Sequence, residues 1–219
     1  MARKTKEDAQ AMRNHILDAA ERLFDSQGVS RTTLQAIAND VGATRGAVYW
    51  HFKDKADLFN AMMARIEWPM DKEALCRQDP ESELHKIPPL VSLRNVVLDC
   101  LGTIANNDQV RRLLNICHYQ IELTEDMYAV RQRMLQAHDD FYERHLQAFS
   151  HPHITPHLQH GMTAHFMAST LQNAVLGLIA TWLLDPQAFD LVSTGDSMMD
   201  LILRGAGLDP QWARLDATT

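Results

Sequence analysis

At residues 44–52 the chain reads Thr44-Arg45-Gly46-Ala47-Val48-Tyr49-Trp50-His51-Phe52. Thr44 is a favoured helix N-cap, because its hydroxyl can accept a hydrogen bond from a backbone N–H of the first turn. Val48 and Phe52 stand four residues apart, so they share one helix face, which we expect to pack inward. Arg45, Gly46 and Tyr49 share another face. The segment therefore predicts a short helix with an exposed cationic and aromatic surface.

Two further helices are predicted before this segment. The first runs from about Glu7 to Gln27, and Gly28 supplies its stop as a left-handed C-terminal residue would. The second, short helix begins at Thr32-Thr33 and is ended by Gly42. Only Gly42-Ala43 separates it from the Thr44 cap, and this is the spacing of a helix-turn-helix.

The exposed side chains of this helix-turn-helix fit the chemistry of DNA. Arginine can reach guanine edges or phosphate, glycine lets the helix backbone approach the groove, and a helix N-terminus can hold a phosphate. A flexible basic arm at the start of the chain can add phosphate or minor-groove contacts. The predicted DNA-binding residues are Arg3, Lys4, Lys6, Thr32, Thr33, Thr44, Arg45, Gly46, Tyr49, His51 and Lys55. The alternative is a purely structural helical subdomain with surface aromatics.

The composition is that of a globular protein with an uneven charge distribution. The chain has 219 residues, of which 46% are hydrophobic and 22% are charged, so it can bury a sizeable core. A net charge of −7 by itself disfavours nucleic acid. However, residues 1–60 carry nine Lys and Arg against eight Asp and Glu, whereas residues 61–219 carry 12 against 20. An acidic body on a neutral-to-basic head is compatible with DNA binding by the head alone.

Helical periodicity continues through the rest of the chain. Asp54 caps a fourth helix, and further helices are predicted at about 90–105, 108–123, 126–149, 156–184 and 194–204. Prolines and charges mark loops at about 68–89 and 150–159. We therefore predict an all-α fold of about nine helices. A three-helix DNA-binding domain would occupy residues 1–60, and a larger ligand-binding and dimerisation domain would occupy residues 61–219.

Several other functions find little support in the sequence. There is no apolar run of the roughly 20 residues that a membrane span needs and no signal-peptide pattern, so we expect a cytoplasmic protein without membrane contact. Cys76, Cys100 and Cys117 form no CxxC pair; buried thiols are expected, with a redox switch as the alternative. Five histidines leave a metal site open as an alternative, although we predict no metal, no cofactor and no catalytic residue. They are His151, His153, His157, His160 and His165.

Residues 1–60 resemble the DNA-binding domain of the tetracycline-repressor (TetR) family. The resemblance rests on Ile16-Leu17-Asp18-Ala19-Ala20, Gly28-Val29-Ser30-Arg31-Thr32-Thr33-Leu34, Ile37-Ala38 and the segment from Arg45 to Phe52 with Lys55. The start Ala2-Arg3-Lys4-Thr5-Lys6-Glu7 is similar to the AcrR/TtgR-like subgroup, which represses multidrug efflux pumps. Thinner similarity continues through Arg111-Arg112, Glu122–Met127, Gly177–Ile179, Trp182–Leu184 and Phe189–Leu191.

The resemblance implies partners as well as a fold. It implies a homodimer on near-palindromic operator DNA, with one recognition helix in each of two major-groove half-sites. It also implies a dimer face on the last two helices, for which a monomeric core is the alternative, and an effector pocket among the middle helices. The pocket residues that it implies here are Ile66, Met70, Val96, Val97, Cys100, Leu114, His118, His138, Phe141, His145, Gln172, Val175 and Leu176. Most are apolar, which suits a hydrophobic, drug-like inducer.

The leading hypothesis is a repressor of a multidrug efflux operon. A small hydrophobic or aromatic compound would bind the pocket, move the fourth helix and release the operator. One alternative keeps the DNA-binding head but lets the pocket sense a metabolite, an acyl-CoA or a metal. Another is an enzyme with an incidental helical head, for which the sequence offers no nucleophile–base pair, phosphate loop or zinc motif.

Overall fold

The computed structural model describes residues 2–67 and 86–214, with side chains from Lys6 onwards. Within these ranges it contains nine α-helices and no β-strand, which confirms the all-α prediction. The helices are α1 (Ala2–Gln27), α2 (Leu34–Asp40), α3 (Arg45–His51), α4 (Lys55–Met63), α5 (Pro89–Asn106), α6 (Asp108–Asn115), α7 (Tyr128–Phe149), α8 (Ala164–Leu184) and α9 (Leu191–Gly205). A π-helical segment covers Ile116–Gln120, and 3-10 turns cover Glu125–Met127, Thr155–His157 and Pro210–Ala213.

Three predicted helix boundaries were wrong. Helix α1 begins at Ala2, not near Glu7, so the predicted flexible arm is helical; Ala, Arg and Lys favour a helix and no breaker interrupts them. The helix predicted at 108–123 is α-helical only to Asn115 and continues as the π-helical segment. The helix predicted from 156 starts at Ala164, because Gly161 takes a positive φ of 88° and Thr163 provides the N-cap.

The chain divides into two compact units. The first contains residues 1–66 and 109–135, and the second contains residues 67–108 and 136–219. The predicted domain 1–60 lies wholly inside the first unit, and its boundary at residue 60 stays a prediction. The first unit thus combines the helix-turn-helix with a later segment of the chain that ends in the first part of α7.

The first unit has a closely packed aromatic and aliphatic core. Phe24 of α1 and Phe59 of α4 are fully buried, with ring centroids 6.1 Å apart. Val48 and Phe52 are also buried, as their spacing on α3 predicts. Burial of each such side chain contributes roughly 1.5–3 kcal/mol to stability. The short helices are held by packing, α2 against α1 and α3 against α2, since helices of seven residues are not stable alone.

The α1–α2 turn, residues 28–33, is fixed by hydrogen bonds from three directions. Gly28 has a positive φ of 84°, which ends α1. The buried Thr32 hydroxyl donates to the Gly28 carbonyl at 2.8 Å. Lys55 Nζ, at the start of α4, donates to the Val29 carbonyl at 2.8 Å. The Val29 N–H donates to the Gln120 carbonyl at 2.9 Å, so the last residue of the π-helical segment is joined to this turn.

Polar contacts also join α6 to α1 within the first unit. Glu21 is 5% exposed and receives a hydrogen bond from Gln109 Nε2 at 3.1 Å. Arg112 Nη1 lies 3.4 Å from the other Glu21 carboxylate oxygen. One turn further along α1, Asp25 Oδ1 accepts a hydrogen bond from Asn115 Nδ2 at 3.3 Å. Since buried polar groups without partners are costly, these contacts offset the cost of burying the Glu21 side chain.

The second unit is organised around an ionic network between α5 and α9. Arg94 on α5 is 3% exposed and contacts the carboxylates of Asp196 and Asp200 on α9. Arg214 contacts the same two carboxylates, at 2.9 Å and 3.1 Å. Burial raises the pKa of Asp200, but the hydrogen bonds from Arg94 and Arg214 outweigh it and hold that pKa below the ordinary value. Removing one member of such a network costs about 3–5 kcal/mol.

We expect this network to make the second unit acid-sensitive. A carboxyl group whose pKa is depressed by folding stabilises the folded state above its unfolded pKa of about 4, and this contribution is lost as the pH falls further. The Asp200→Asn variant should therefore be less stable at pH 7 and should lose less free energy of unfolding than wild type between pH 5 and pH 3. Urea unfolding at each pH measures this; Asp139→Asn, on an exposed site, is the control. Parallel pH profiles for Asp200→Asn and wild type would contradict the assignment.

Candidate nucleic-acid interface

Threonines cap both helices of the helix-turn-helix. Thr33 Oγ1 accepts a hydrogen bond from the Ala36 N–H at 3.0 Å at the start of α2. Thr44 Oγ1 accepts one from the Ala47 N–H at 3.2 Å at the start of α3. Both threonines are exposed. Because each hydroxyl uses a lone pair for the cap, its own hydrogen can donate outward to a phosphate oxygen.

Arg45 and Tyr49 form a pair on the exposed surface of α3. Arg45 Nη2 lies 3.0 Å from the Tyr49 hydroxyl, and the guanidinium carbon lies 5.2 Å from the tyrosine ring centroid. The stacking and the hydrogen bond hold the guanidinium outward in one orientation. A guanidinium that is already oriented loses less side-chain entropy when it makes a bidentate contact with guanine or phosphate.

Gly46 leaves the surface of α3 open beside this pair. A β-carbon at Gly46 would have only one neighbouring contact, the Thr44 hydroxyl oxygen at 3.9 Å. The absent side chain therefore reflects room on the outer side of the helix, not crowding inside the protein. Such an opening allows the helix backbone to come close to a partner surface, as the sequence predicts.

Two residues extend this surface beyond the predicted set. Trp50 is 73% exposed, and its ring meets His51 edge-on with centroids 4.6 Å apart. Arg13 of α1 lies with its guanidinium carbon 5.0 Å from the Phe52 ring. Partial burial and then the charge of Arg13 lower the pKa of His51, so its imidazole is neutral at pH 7. Trp50 follows Tyr49 on α3, so the helix pattern could have identified it as part of the exposed surface. Arg13 lies on a different helix, so spacing within α3 could not identify it.

The other predicted DNA-binding residues lie in different environments. Thr32 is buried, and its hydroxyl donates inside the α1–α2 turn. Lys55 uses two of its ammonium hydrogens on the Val29 and Ser30 carbonyls, and burial is the main cause that lowers its pKa. Lys6 is exposed on α1, and the side chains of Arg3 and Lys4 lie outside the described residues. Thr32 and Lys55 therefore support the turn that places α2.

The structure brings together some of the predicted effector residues. Val96, Phe141 and His145 line a cavity of about 410 Å³ in the second unit. Gln172 is buried and donates from Nε2 to the His138 carbonyl at 2.9 Å. Val97, Cys100 and Val175 are buried, whereas Leu176 is 38% exposed. Ile66, Leu114 and His118 belong to the first unit, and Met70 lies outside the described residues.

The alternative metal and redox sites gain no support from the geometry. His151 and His153 have ring centroids 5.3 Å apart, but the residues that the structure describes contain no group of three or more metal-ligating side chains placed around one point. Burial raises the pKa of the Cys117 thiol to about 12, against the opposing charge of Arg133. This thiol is therefore protonated at neutral pH and a poor nucleophile. Cys76 lies outside the described residues.

Together these features define a class of protein: an all-helical chain with a helix-turn-helix head whose third helix presents an arginine–tyrosine pair. Two family models match it. "Bacterial regulatory proteins, tetR family" matches residues 16–62, and "MAATS-type transcriptional repressor, C-terminal region" matches residues 88–206.

Individual relatives match over nearly the full length. The HTH-type transcriptional regulator AcrR of Shigella flexneri is 35% identical over 93% of both chains. The crystal structure of NalD, the secondary repressor of the MexAB-OprM multidrug efflux pump in Pseudomonas aeruginosa, has a TM-score of 0.78 and 34% identity, covering 90% of this chain and 96% of its own. SmeT of Stenotrophomonas maltophilia, solved with triclosan, has a TM-score of 0.71 and 29% identity over 89% and 91%.

The chain belongs to the TetR family of bacterial transcription regulators. This confirms the resemblance to the AcrR/TtgR-like subgroup that the N-terminal sequence indicates. The individual DNA-binding and effector residues stay predictions.

We expect Arg45→Ala to weaken operator binding by about tenfold to a hundredfold and to relax sequence preference, since a bidentate arginine contact contributes about 1–3 kcal/mol of discrimination. Tyr49→Phe keeps the ring but removes the hydroxyl that orients Arg45, so its affinity loss should be smaller, about two- to fivefold. Fluorescence anisotropy at fixed salt measures both. Arg131→Ala, an exposed arginine on α7 outside the helix-turn-helix, is the charge-matched control. Equal losses of operator affinity for Arg45→Ala and Arg131→Ala would contradict a specific contact by Arg45 and would indicate only a general effect of removing positive charge.

Proposed function

We propose that this protein is a transcriptional repressor that binds operator DNA through α3 and is released by a small hydrophobic or aromatic inducer. The observation that carries the proposal is the exposed face of α3, where Arg45 is held outward by Tyr49 beside the open surface at Gly46. The regulated genes would encode a multidrug efflux pump, because NalD and SmeT are described as repressors of such pumps. Cytoplasmic location and absence of catalysis belong to the same proposal.

A homodimer would supply the two recognition helices that a palindromic operator requires. In support, α8 and α9 carry large apolar side chains that one copy leaves exposed: Phe166 at 52%, Leu184 at 71% and Leu201 at 72%. Among the described helices, α8 alone is long and apolar enough to cross a membrane by length and composition, and only 39% of its apolar window is buried. A second copy would cover this surface, and isologous pairing around a twofold axis would place one head on each half-site.

The dimer proposal predicts a specific effect of charge on α9. Leu201→Arg should place an unpaired charge in the interface, convert the protein to a monomer and abolish cooperative operator binding. Analytical ultracentrifugation measures the mass and anisotropy measures the DNA affinity. Leu123→Arg introduces the same charge at an exposed leucine of the first unit and should remain dimeric. A dimeric, DNA-binding Leu201→Arg variant would place the dimer interface elsewhere.

The contacts within the first unit offer a route from an inducer to the DNA. Two predicted effector residues, Leu114 and His118, lie on the segment that contacts the head. Within this segment, Gln109 and Asn115 donate hydrogen bonds to Glu21 and Asp25 of α1. Further along it, the Gln120 carbonyl accepts a hydrogen bond from the Val29 N–H. A π-helical stretch is uncommon and often marks a functional site. An inducer that changes Ile116–Gln120 would therefore alter the support of the α1–α2 turn, in addition to the movement of α4 that the sequence predicts.

Operator release is the experiment that tests the proposed function. DNA from upstream of the protein's own gene, and a site selected from a random library, are titrated with the purified dimer. A panel of efflux substrates, with triclosan as one member because SmeT was solved with it, is then added. We expect nanomolar-range binding that falls as salt rises, and weaker binding with at least one compound.

Two results would contradict this function. One is no binding to either DNA, and the other is an operator affinity unchanged by every compound in the panel. A metabolite, acyl-CoA or metal inducer would instead appear as a ligand that copurifies with the protein and releases the DNA. Native mass spectrometry of the purified dimer detects such a ligand, and adding it to the DNA complex tests whether it is the inducer.

A further inference from the structure

Two sulfur atoms from different parts of the chain meet inside the first unit. The Cys117 thiol donates a hydrogen bond to Met63 Sδ, and the two sulfurs lie 3.6 Å apart. Met63 is the last residue of α4, and Cys117 belongs to the π-helical segment. Both side chains are half-buried, so a small ion from solution can reach them. The proposed function gives neither residue a role.

The spacing of the two sulfurs suits a shared metal ion. Thiolate and thioether sulfurs are soft ligands that prefer soft metal ions. A metal–thiolate bond is about 2.3 Å long, so two sulfurs on one ion stand at most about 4.6 Å apart. The observed 3.6 Å lies within this limit. A structural zinc site does not fit, because it needs four ligands and the described residues contain no group of three or more His, Cys, Asp or Glu side chains placed for a metal.

The electrostatic surroundings favour a monovalent ion over a divalent one. Burial raises the pKa of the Cys117 thiol to about 12, so a thiolate without a counterion is costly here. A thiolate and a monovalent cation neutralise each other, and the Met63 thioether adds no charge. A divalent cation would leave a net positive charge near Arg133, whose own positive charge acts on Cys117. The ions that are both soft and monovalent are Cu⁺ and Ag⁺.

We propose that Cys117 and Met63 bind one soft monovalent cation, Cu⁺ or its analogue Ag⁺. Binding breaks the S–H bond of Cys117, forms a metal–thiolate bond and passes the proton to the solvent, while Met63 Sδ donates a lone pair to the ion. The oxidation state of the ion does not change. The bound ion joins the end of α4 to the π-helical segment. This site goes beyond the proposed function, because it takes an ion in place of a hydrophobic inducer and its occupancy is measured without DNA.

The test uses Ag⁺, which is stable in air, and a full-length Cys76→Ser/Cys100→Ala reference protein, in which Cys117 is the only thiol. Isothermal titration calorimetry in chloride-free buffer, with imidazole present to compete with surface histidines, should show one Ag⁺ per chain. Met63→Leu keeps the apolar shape but removes one sulfur, so the affinity should fall about tenfold or more, since even outer-shell partners contribute that much to a metal site. Cys117→Ser should abolish binding. Met162→Leu, at a half-buried methionine of the second unit, is the matched control and should bind like the reference.

Three results would overturn the site: no stoichiometric Ag⁺ binding by the reference protein, an affinity unchanged in Met63→Leu, or binding that persists in Cys117→Ser. If a variant does not fold, the methionine methyl NMR signals of the wild-type protein decide. Ag⁺ should shift the Met63 signal and leave that of Met162 in place, and an unmoved Met63 signal would contradict the assignment. An equal concentration of Zn²⁺ should not displace Ag⁺, and displacement would contradict the preference for a monovalent ion.

Discussion

The hydrogen bonds around the α1–α2 turn are the constraint on which the arrangement of the first unit depends. A chain reversal at Gly28 leaves backbone carbonyls and an N–H that must be satisfied once the turn is buried. Thr32 and Lys55 supply donors for the carbonyls, and Gln120 supplies the acceptor for the Val29 N–H. The partners come from the turn itself, from α4 and from a segment almost one hundred residues later. The turn therefore has its full set of hydrogen bonds only when all three parts are in place.

This constraint explains why two very short helices can form a reading surface. Helix α2 and helix α3 have seven residues each, and neither has the length to be stable by itself. They are positioned because the turn fixes the start of α2, the threonine caps fix both N-termini, and Val48 and Phe52 pack into the core. The outward orientation of Arg45 and Tyr49 then follows from the helix geometry. If the hydrogen bonds at residues 28–33 were lost, the start of α2 would no longer be fixed, and α3, which packs against α2, would be displaced with it.

Local chemistry made much of this predictable. The Thr44 cap, the inward pair of Val48 and Phe52, the stop at Gly28 and the all-α fold follow from short-range spacing, and the structure agrees with them. What was missed depends on contacts between distant parts of the chain. Arg13 reaches Phe52 from another helix, and no periodicity shows that Gln120 caps the turn. The π-helical geometry and the contact between the Cys117 and Met63 sulfurs are also consequences of packing, so only coordinates could show them.

Amide hydrogen exchange at Val29 tests most directly whether the α1–α2 turn connects inducer binding to the DNA-reading head. The dimer is measured bound to operator, and again with the compound of the panel that weakens operator binding most, with α1 amides such as Ala20 as the internal reference. We expect strong protection of the Val29 N–H in the operator complex and clearly faster exchange with the inducer, while Ala20 stays unchanged. Equal protection of Val29 in the two states, despite release of the DNA, would contradict it and would assign the coupling to another part of the first unit.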